Sequence, residues 1–453
     1  MATLPSTLER VKQDINRYLP DTLIRQIFID AGHRWRKRKF DPVTTVHLFV
    51  LQVLCFNTAI THLRHLAGMP VNAAAYCKAR MRLPLAALET LLERLALSIT
   101  GIQSQRLWCG LRTCLVDATC SIAPDTKDTQ KKFPQPKGQK KGCGFPVPKL
   151  LGLFDAYSGL IVRVVFGPLY RHDLRSAIGL HACLTLGDLL VGDRAFCSYV
   201  HFAMLSGRGV LALFRFHASR WVSFERRPRG KKKKPRRKVR QCKQLQRLKR
   251  VKSLGKHDQI VRWKKPSHWN RPDWLSLRQF EKLPEEMLIR ELHFVVEGAG
   301  GRTREVTIAT TLLDPELYPK EKIAELYGLR WRVETHFAEL KTTLKMRRIK
   351  CRTAAGVQKE MVVYCIAYNL AHAVMQEAAA KQETTPDRIS FIDTVRWMLS
   401  AKPGEELPKL LINPRREGRH QPRVVKDRHD GYQRMTRPRR EMNKNPAKWP
   451  GRK

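Results

Sequence analysis

Hydrophobic residues recur at helical spacing through the first 105 residues of the chain and give way to strand-like runs after that. The most apolar stretch of the first part is VTTVHLFVLQVLCFNTAITHL. Besides threonines, it contains His47, Gln52, Asn57 and His62. These make a buried helix a better interpretation than a membrane span. Residues 1–105 are therefore predicted to be mostly helical.

A basic helix is predicted near the end of this first part. The segment TAITHLRHLAGMPVNAAAYCKARMRLP reads as helix, turn and helix, with Gly68 and Pro70 at the turn and Lys78, Arg80 and Arg82 on the second helix. The pattern fits a helix-turn-helix that enters DNA and, equally well, a helical hairpin with exposed basic residues. We predict that the N-terminal helices bind DNA.

Residues 106–216 show a mixed order of strands and helices. The run TCLVDAT predicts a strand that contains Asp117, and KLLGLFDAYSGLIVRVVFGP predicts a hairpin with its turn at Asp155–Gly159. HDLRSAIGLHACL has helical period, GDLLVGDRAF predicts a buried strand that ends at Asp193, and GVLALFRF predicts another strand. This order is typical of the ribonuclease H-like fold, although it also matches other α/β folds.

Residues 217–305 are predicted to form a β-rich insertion with a basic loop. The loop is the run RRPRGKKKKPRRKVRQCKQLQRLKRVK, from Arg226 to Lys252. A charge run of this kind is typical of a disordered, self-repelling segment, and it also fits contact with DNA phosphates, which we predict here. Three later runs, WLSLRQF, MLIRELHFVVEG and EVTIATTLLD, predict strands, with a glycine-rich turn between the last two.

The segment LYGLRWRVETHFAELK, from Leu326 to Lys341, predicts a helix with two neighbouring stripes. At about 100° per residue, its apolar side chains fill a sector about 80° wide that would face a core. Tyr327, Arg330, Glu334 and Lys341 fall beside it in a sector about 60° wide. On spacing alone, a solvated face with an i,i+4 ion pair explains this second stripe. The next helix, EMVVYCIAYNLAHAVMQEAAA, is predicted to pack behind it.

The charge of the chain indicates a polyanionic partner. Its 453 residues include 86 Lys plus Arg against 40 Asp plus Glu, a formal net charge of +46. Nucleic acid is the simplest such partner, and an anionic membrane fits less well because no basic amphipathic helix stands out. The N-terminus has no apolar signal segment, and the eleven cysteines show no zinc-type spacing with each other or with histidine. Reduced thiols are therefore expected, and no P-loop motif indicates ATP.

Two aspartates lie within apolar strand-like runs, Asp117 in CLVDAT and Asp193 in LLVGDRAF. A buried carboxylate is costly unless it is paired or holds a metal ion. Either aspartate alone could be a strand-end carboxylate that bonds to a neighbouring turn. Together with Glu334 they make three acids at the ends of core elements, and oxygen ligands of this kind suit Mg²⁺.

Four residues of the predicted helix complete the pattern Y-x2-R-x3-E-x6-K. With the aspartates of LVDAT and VGDRAF upstream, the chain resembles the DDE transposases of bacterial insertion sequences, in the insertion sequence four family. The resemblance covers about residues 35–440 and includes an insertion between the second aspartate and the glutamate. Alanine stands in DAT and DRAF where that family commonly has glycine, and this departure does not affect the acids.

The resemblance implies a role for each of these residues. The acids implied to be catalytic and to bind metal are Asp117, Asp193 and Glu334. The residues implied to contact DNA are Tyr327, Arg330 and Lys341. The implied cofactor is Mg²⁺, as two ions for which Mn²⁺ can substitute. Such ions activate a water or a 3′-hydroxyl and stabilise the leaving oxygen.

We therefore expect a transposase that binds the ends of its insertion sequence and catalyses metal-dependent strand cleavage and strand transfer into target DNA. It is expected to act as a dimer on paired ends, in the bacterial cytoplasm with the nucleoid, and without membrane contact. One alternative is a catalytically idle DNA-binding protein or repressor derived from a transposase. Another is an RNA-binding structural protein, which would leave the three acids unexplained.

The expected fold class is α/β, a ribonuclease H-like catalytic domain with a β-rich insertion, preceded by a helical N-terminal domain. The expected domains are 1–105, helical and DNA-binding; 106–216, the first part of the core; 217–305, the insertion; 306–400, the second part of the core with the glutamate helix and following helices; and 401–453, a basic C-terminal tail.

Overall fold

The computed structural model describes most of the chain. The described residues are 13, 15–36, 38–102, 107–216, 247–298, 302–402 and 404–412, with 432, 434, 435 and 438–444. Most of the basic loop, the glycine-rich turn of the insertion and most of the basic tail lie outside the described residues. The predicted contact of the loop with phosphates therefore stays a prediction.

The strands of the described residues form one mixed sheet. Their bounds are β1 Thr113–Cys120, β2 Pro148–Asp155, β3 Ile161–Pro168, β4 Leu189–Gly192, β5 Leu211–Arg215, β6 Arg247–Gly255, β7 Asp258–Lys264, β8 Glu286–Gly298 and β9 Arg302–Thr310. The nine strands follow the order β3-β2-β1-β4-β5-β9-β8-β7-β6. The pairs β1–β4 and β4–β5 are parallel, and the other neighbours are antiparallel.

Helices precede, cover and follow this sheet. Their bounds in the described residues are α1 Asp21–Asp30, α2 Pro42–Leu54, α3 Leu63–Leu66, α4 Ala73–Arg82, α5 Leu85–Ile102, α6 Lys127–Lys132, α7 Asp173–Ala177, α8 Tyr199–Ser206, α9 Leu277–Glu281, α10 Lys320–Leu329, α11 Arg332–Ala338, α12 Ala354–Lys381, α13 Phe391–Ser400 and α14 Arg439–Lys444. The protein is thus a mixed α/β structure, as predicted.

The parallel strands at the centre are built from continuous apolar runs. Every residue of β4 is buried, and so are residues 113–116 of β1. Runs of this kind are typical of parallel strands that are covered on both faces. The β1–β4 register ends at Val116 opposite Gly192, which fixes the point where the two strands part.

The hairpin predicted for residues 149–168 is confirmed. β2 and β3 pair antiparallel, and the turn between them is closed by the side chain of Asp155. Its Oδ1 accepts hydrogen bonds from the backbone N–H groups of Tyr157 at 3.1 Å and Ser158 at 2.8 Å. Gly159 completes the turn with a φ of +72°, a conformation that favours glycine.

The insertion extends the central sheet. β9 pairs with β5, and β8, β7 and β6 follow outward. Two of the strands predicted from sequence are confirmed, but the strand predicted for WLSLRQF is wrong because this segment contains α9. Ser276 Oγ accepts from Gln279 N–H at 3.2 Å and the Gln279 side chain accepts from Ser276 N–H at 3.1 Å. This capping box starts a helix where the apolar residues alone suggested a strand.

Two helices lie almost wholly inside the protein, and the burial of the first, α2, confirms its prediction. Every residue of α2 except Thr44 is buried, and α12 is buried along most of its length. Both belong to one hydrophobic cluster that joins the N-terminal helices to the sheet, and α12 packs against α2 and α5. No helix of the described residues is long and apolar enough to cross a membrane. The domain boundary at residue 105 stays a prediction.

The N-terminal basic helix differs from its prediction at one position. The helix before it, α3, is a single turn, and α4 carries Lys78 and Arg82 on its exposed surface. Arg80 is buried, so the prediction that it is an exposed basic residue is wrong. Its guanidinium carbon lies 3.7 Å from the ring centroid of Phe49, and its Nη1 donates to Gln52 Oε1 at 2.9 Å. Stacking and hydrogen bonding to α2 thus hold Arg80 in the core.

Candidate active site

Asp117 and Asp193 lie where the parallel pairing of β1 and β4 ends. Each is the residue directly after the last pair of the register, Val116 with Gly192. Asp193 also caps the 3₁₀ turn after β4, with its Oδ1 accepting from Ala195 N–H at 2.8 Å. Sheet topology therefore makes these two carboxylates neighbours although they are far apart in sequence.

The carboxyl group of Asp117 is crowded. Burial raises the pKa of Asp117 to about 6, and the neighbouring negative charge of Asp193 adds to the rise. A hydrogen bond from Ala118 N–H to Oδ1, at 2.8 Å, and the positive charge of Arg330 act in the opposite direction. The hydrogen bond and the positive charge thus offset only part of the cost of burying the negative charge of Asp117.

The helix predicted for residues 326–341 is divided into three parts, so the prediction of one regular helix is wrong. Between α10 and α11, at Arg330 and Trp331, backbone N–H groups bond to the third residue before them, as in a 3₁₀ helix. After α11 a π-helical turn, Glu339–Thr343, begins. Both changes alter the angle per residue, so the four signature side chains do not share one regular stripe. Such irregular turns often occur at functional sites.

Arg330 contacts an acid on either side. Its Nη1 lies 3.6 Å from Asp117 Oδ2, and its Nη2 lies 3.5 Å from Glu334 Oε1. The Arg330 side chain is 9% exposed, whereas that of Glu334 is 63% exposed. The i,i+4 pair of an ordinary helix surface is present, but Arg330 is buried and also reaches the central strand. The structure thereby brings Glu334 and Asp117 to a common guanidinium group.

The other two signature residues lie in different environments. Tyr327 is fully buried, and the guanidinium carbon of Arg330 lies 5.8 Å from the centroid of its ring. Lys341 lies on the π turn and is partly buried. Burial lowers the pKa of Lys341, nearby Arg347 adds to the decrease, and Cys120 at the end of β1 opposes it. Lys341 is therefore close to the strand that carries Asp117.

A second group of side chains that could hold a metal ion lies at the end of α11, away from Glu334. It consists of His336, Glu339 and His372, whose ligand atoms all lie within 4.8 Å of one another. Sequence reasoning missed this group because zinc spacing was sought among Cys and His alone, and because His372 lies in an apolar helix that was predicted only to pack behind the segment 326–341. The H-x2-E spacing of the first two, one helical turn apart, is the signal that could have found it.

A basic groove lies in the N-terminal helices. It is an open cavity of about 980 Å³ between the loop after α1 and helix α4. Within it the rings of His33 and Trp35 stack with their centroids 5.6 Å apart. The basic residues that line it are Arg34, Arg36, Arg38, Lys39, Lys78 and Arg82. The groove thus combines stacking surface with positive charge.

Residues 108–370 match the family model of the transposase DDE domain. The match covers more than half of the chain, so the protein belongs to the DDE transposase family. Transposase InsG for insertion sequence element IS4, from Escherichia coli (strain K12), is 23% identical over 378 residues, which are 79% of this chain and 77% of that protein. The family and this relative confirm the resemblance to transposases of the insertion sequence four type.

Among solved structures, the synaptic complex of piggyBac transposase with hairpin DNA is similar to this chain. The TM-score is 0.43 and the sequence identity 7%, with 86% of this chain and 79% of that chain covered.

Proposed function

We propose that this DDE transposase binds the ends of its insertion sequence, cleaves them in a metal-dependent reaction and joins them to target DNA, as a dimer on paired ends. The observation that carries the proposal is the contact of one buried guanidinium group, that of Arg330, with both Asp117 and Glu334. Asp193 follows the strand next to Asp117. The proposed catalytic centre comprises these three acids on a ribonuclease H-like core.

The chemistry of the three acids fits a divalent metal ion. Their donors are all carboxylate oxygens, which Mg²⁺ prefers. Burial and the charge of Asp193 raise the pKa of Asp117. A cation beside the two carboxylates would offset both the burial and the repulsion between their negative charges. We therefore assign Asp117, Asp193 and Glu334 as ligands of Mg²⁺, with Mn²⁺ as a substitute. When bound, such ions activate the attacking water or hydroxyl and stabilise the leaving oxygen.

The remaining signature residues are proposed to position the DNA. Lys341 supplies a positive charge near β1 for a phosphate of the transposon end. Arg330 orients Glu334 against Asp117 in the free protein and is the second candidate for a phosphate contact. Tyr327 is fully buried, so we assign it the role of positioning the Arg330 side chain, whose guanidinium group lies near the Tyr327 ring.

The proposed activity is tested with the full-length chain and end-labelled DNA from the termini of its element. We expect strand breaks at the terminus with Mg²⁺ and none after the metal has been removed with EDTA. Random DNA of the same length serves as the control. Specific binding of the terminal DNA without any break, in Mg²⁺ and in Mn²⁺, would instead indicate the repressor alternative.

The basic groove is proposed to bind the DNA backbone. Each Lys or Arg that contacts a phosphate adds about one to the slope of log affinity against log salt. We expect Lys78→Ala and Arg82→Ala each to weaken binding of terminal DNA and to reduce this slope by about one. Arg208→Ala changes an exposed arginine in the turn after α8 and is the matched control. Equal slopes for all three variants and the unaltered protein would exclude the groove as a DNA contact.

A further inference from the structure

The group formed by His336, Glu339 and His372 has the geometry of a metal site that the transposase reaction does not use. One carboxylate oxygen, Glu339 Oε2, lies 3.5 Å from His336 Nδ1 and 3.1 Å from His372 Nε2. Ligands of a tetrahedral zinc ion, at about 2.0–2.1 Å from the metal, are about 3.3–3.4 Å apart. Both separations from the carboxylate therefore match those of ligands that share one ion.

The ring of His372 lies between two oxygen acceptors, a backbone carbonyl and the carboxylate of Glu339. His372 Nδ1 lies 3.3 Å from the backbone carbonyl of Ser158. A carbonyl oxygen only accepts, so Nδ1 donates to it, and Nε2 lies 3.1 Å from Glu339 Oε2, where either a proton or a metal ion must join the two atoms. The bond from Nδ1 to the Ser158 carbonyl is of the kind that metal-ligating histidines typically make, because it fixes the tautomer and the ring orientation.

His336 adds an independent observation. Its side chain is buried, and its Nδ1 makes no hydrogen bond to any of the described residues. The ring is held by stacking on Phe154, with centroids 5.6 Å apart, so its position does not depend on a hydrogen bond. A buried nitrogen without a hydrogen bond, 3.5 Å from a carboxylate oxygen, needs a physical explanation, and a shared metal ion would supply one.

The backbone leaves room for both rings. Gly159 lies against the pair, and a Cβ atom there would approach His336 Cε1 to 2.8 Å and His372 Nδ1 to 3.1 Å. The turn of the β2–β3 hairpin, the π turn and α12 thus enclose the group from three sides. The group is therefore packed between secondary-structure elements, and both histidines are buried.

We propose that His336, Glu339 and His372 bind one divalent transition-metal ion, for which Zn²⁺ is the probe. Two histidines and one carboxylate are a set that suits zinc, and a fourth position remains for water or the second carboxylate oxygen. Glu334 and His336 are two residues apart on α11, and residues at that spacing do not share a helix face. The ion proposed here is therefore separate from the one proposed at Glu334. It ties the π turn to α12 and so fixes the segment between Glu334 and Lys341.

The competing explanation is an ion pair in which a proton on His372 takes the place of the metal. The test uses the metal-stripped full-length protein, titrated with Zn²⁺ and passed through a desalting column. Bound zinc is counted by mass spectrometry, and thermal unfolding is recorded with and without the ion. We expect one retained equivalent and a higher Tm. A wild-type protein that retains no zinc would disprove the proposal whatever the variants do.

Variants locate the bound ion. Loss of a group that merely supports a ligand typically weakens metal binding 10–100-fold, so Glu339→Gln and His372→Gln are each expected to weaken Zn²⁺ binding more than about 100-fold. His62→Gln alters an exposed histidine and should retain the ion. Glu334→Gln should retain it too, which separates this site from the proposed catalytic centre. Unchanged zinc affinity in Glu339→Gln would refute the assignment.

Cobalt replacement guards against binding elsewhere, because the chain has 11 cysteines and 15 histidines. Co²⁺ in the proposed site should show the visible bands of a nitrogen and oxygen environment of low coordination number. A strong near-ultraviolet thiolate band would place the ion on cysteine and overturn the proposal. This measurement needs only the unaltered protein, so it decides the matter even if a variant fails to fold.

Discussion

Glu334→Gln is expected to leave the protein bound to its DNA ends and unable to cut them. The substitution keeps the shape of the side chain and removes the charge that we assign to a metal ion. A catalytic metal supplies several kcal/mol of transition-state stabilisation. At about 1.4 kcal/mol per factor of ten, the cleavage rate should fall by about 10³-fold. Binding should be unchanged or slightly tighter, because a 63% exposed negative charge next to DNA is lost.

The matched control for this prediction is Glu325→Gln. Glu325 is an exposed glutamate on α10, one helix earlier, and we assign it no role in the reaction. The measurements are cleavage of end-labelled DNA with Mg²⁺ and binding of the same DNA without metal. If Glu334→Gln cut at the wild-type rate, the assignment of α11 to the active site would be wrong. A parallel loss of binding would instead give Glu334 a structural role.

Arg290→Met is expected to cost about 3–5 kcal/mol in the free energy of unfolding. Arg290 on β8 is 1% exposed, and its Nε and Nη2 donate to the two oxygens of Asp258 on β7 at 2.9 and 2.6 Å. Its Nη1 donates to the carbonyl of Tyr318 at 2.7 Å, just before α10. Methionine would leave a buried carboxylate without its partner, and this, more than the lost attraction, accounts for the cost.

Urea unfolding monitored by circular dichroism measures this effect. The control is Arg262→Met on β7. Arg262 pairs with Glu286, and both side chains are exposed, Arg262 by 51% and Glu286 by 41%. Exposed pairs of this kind contribute at most about 1 kcal/mol. Similar midpoints for the two variants would show that Asp258 finds another partner or becomes protonated. A larger loss for Arg290→Met would show that the buried contacts of Arg290 with Asp258 and with the segment before α10 stabilise the fold.

The central strands could be predicted from sequence because each is a short apolar run that is buried on both faces. Asp117 and Asp193 stand out for the same reason, since a carboxylate in such a run needs a partner. Where local and tertiary effects compete, the predictions failed. A capping box at Ser276 turned an apolar run into a helix, and stacking on Phe49 drew the charged Arg80 into the core.

The spacing of the four signature residues predicted that they act in one site, but it did not predict how their side chains are arranged in space. A periodicity argument assumes one angle per residue, and the 3₁₀ bonds at Arg330 and the π turn at Glu339 both depart from it. Tyr327 consequently lies buried while Glu334 is exposed. His372 could not be assigned from sequence, since only the packing of α12 against the π turn brings it to Glu339.

The position of the insertion within the sheet has a consequence for protein synthesis. Both aspartates precede the insertion and Glu334 follows it, so at about 5–20 residues per second the ribosome adds Glu334 on the order of ten seconds after Asp193. A nascent chain therefore holds two of the proposed catalytic acids without the third. On the proposed mechanism it cannot cut DNA until three-quarters of the protein has been made.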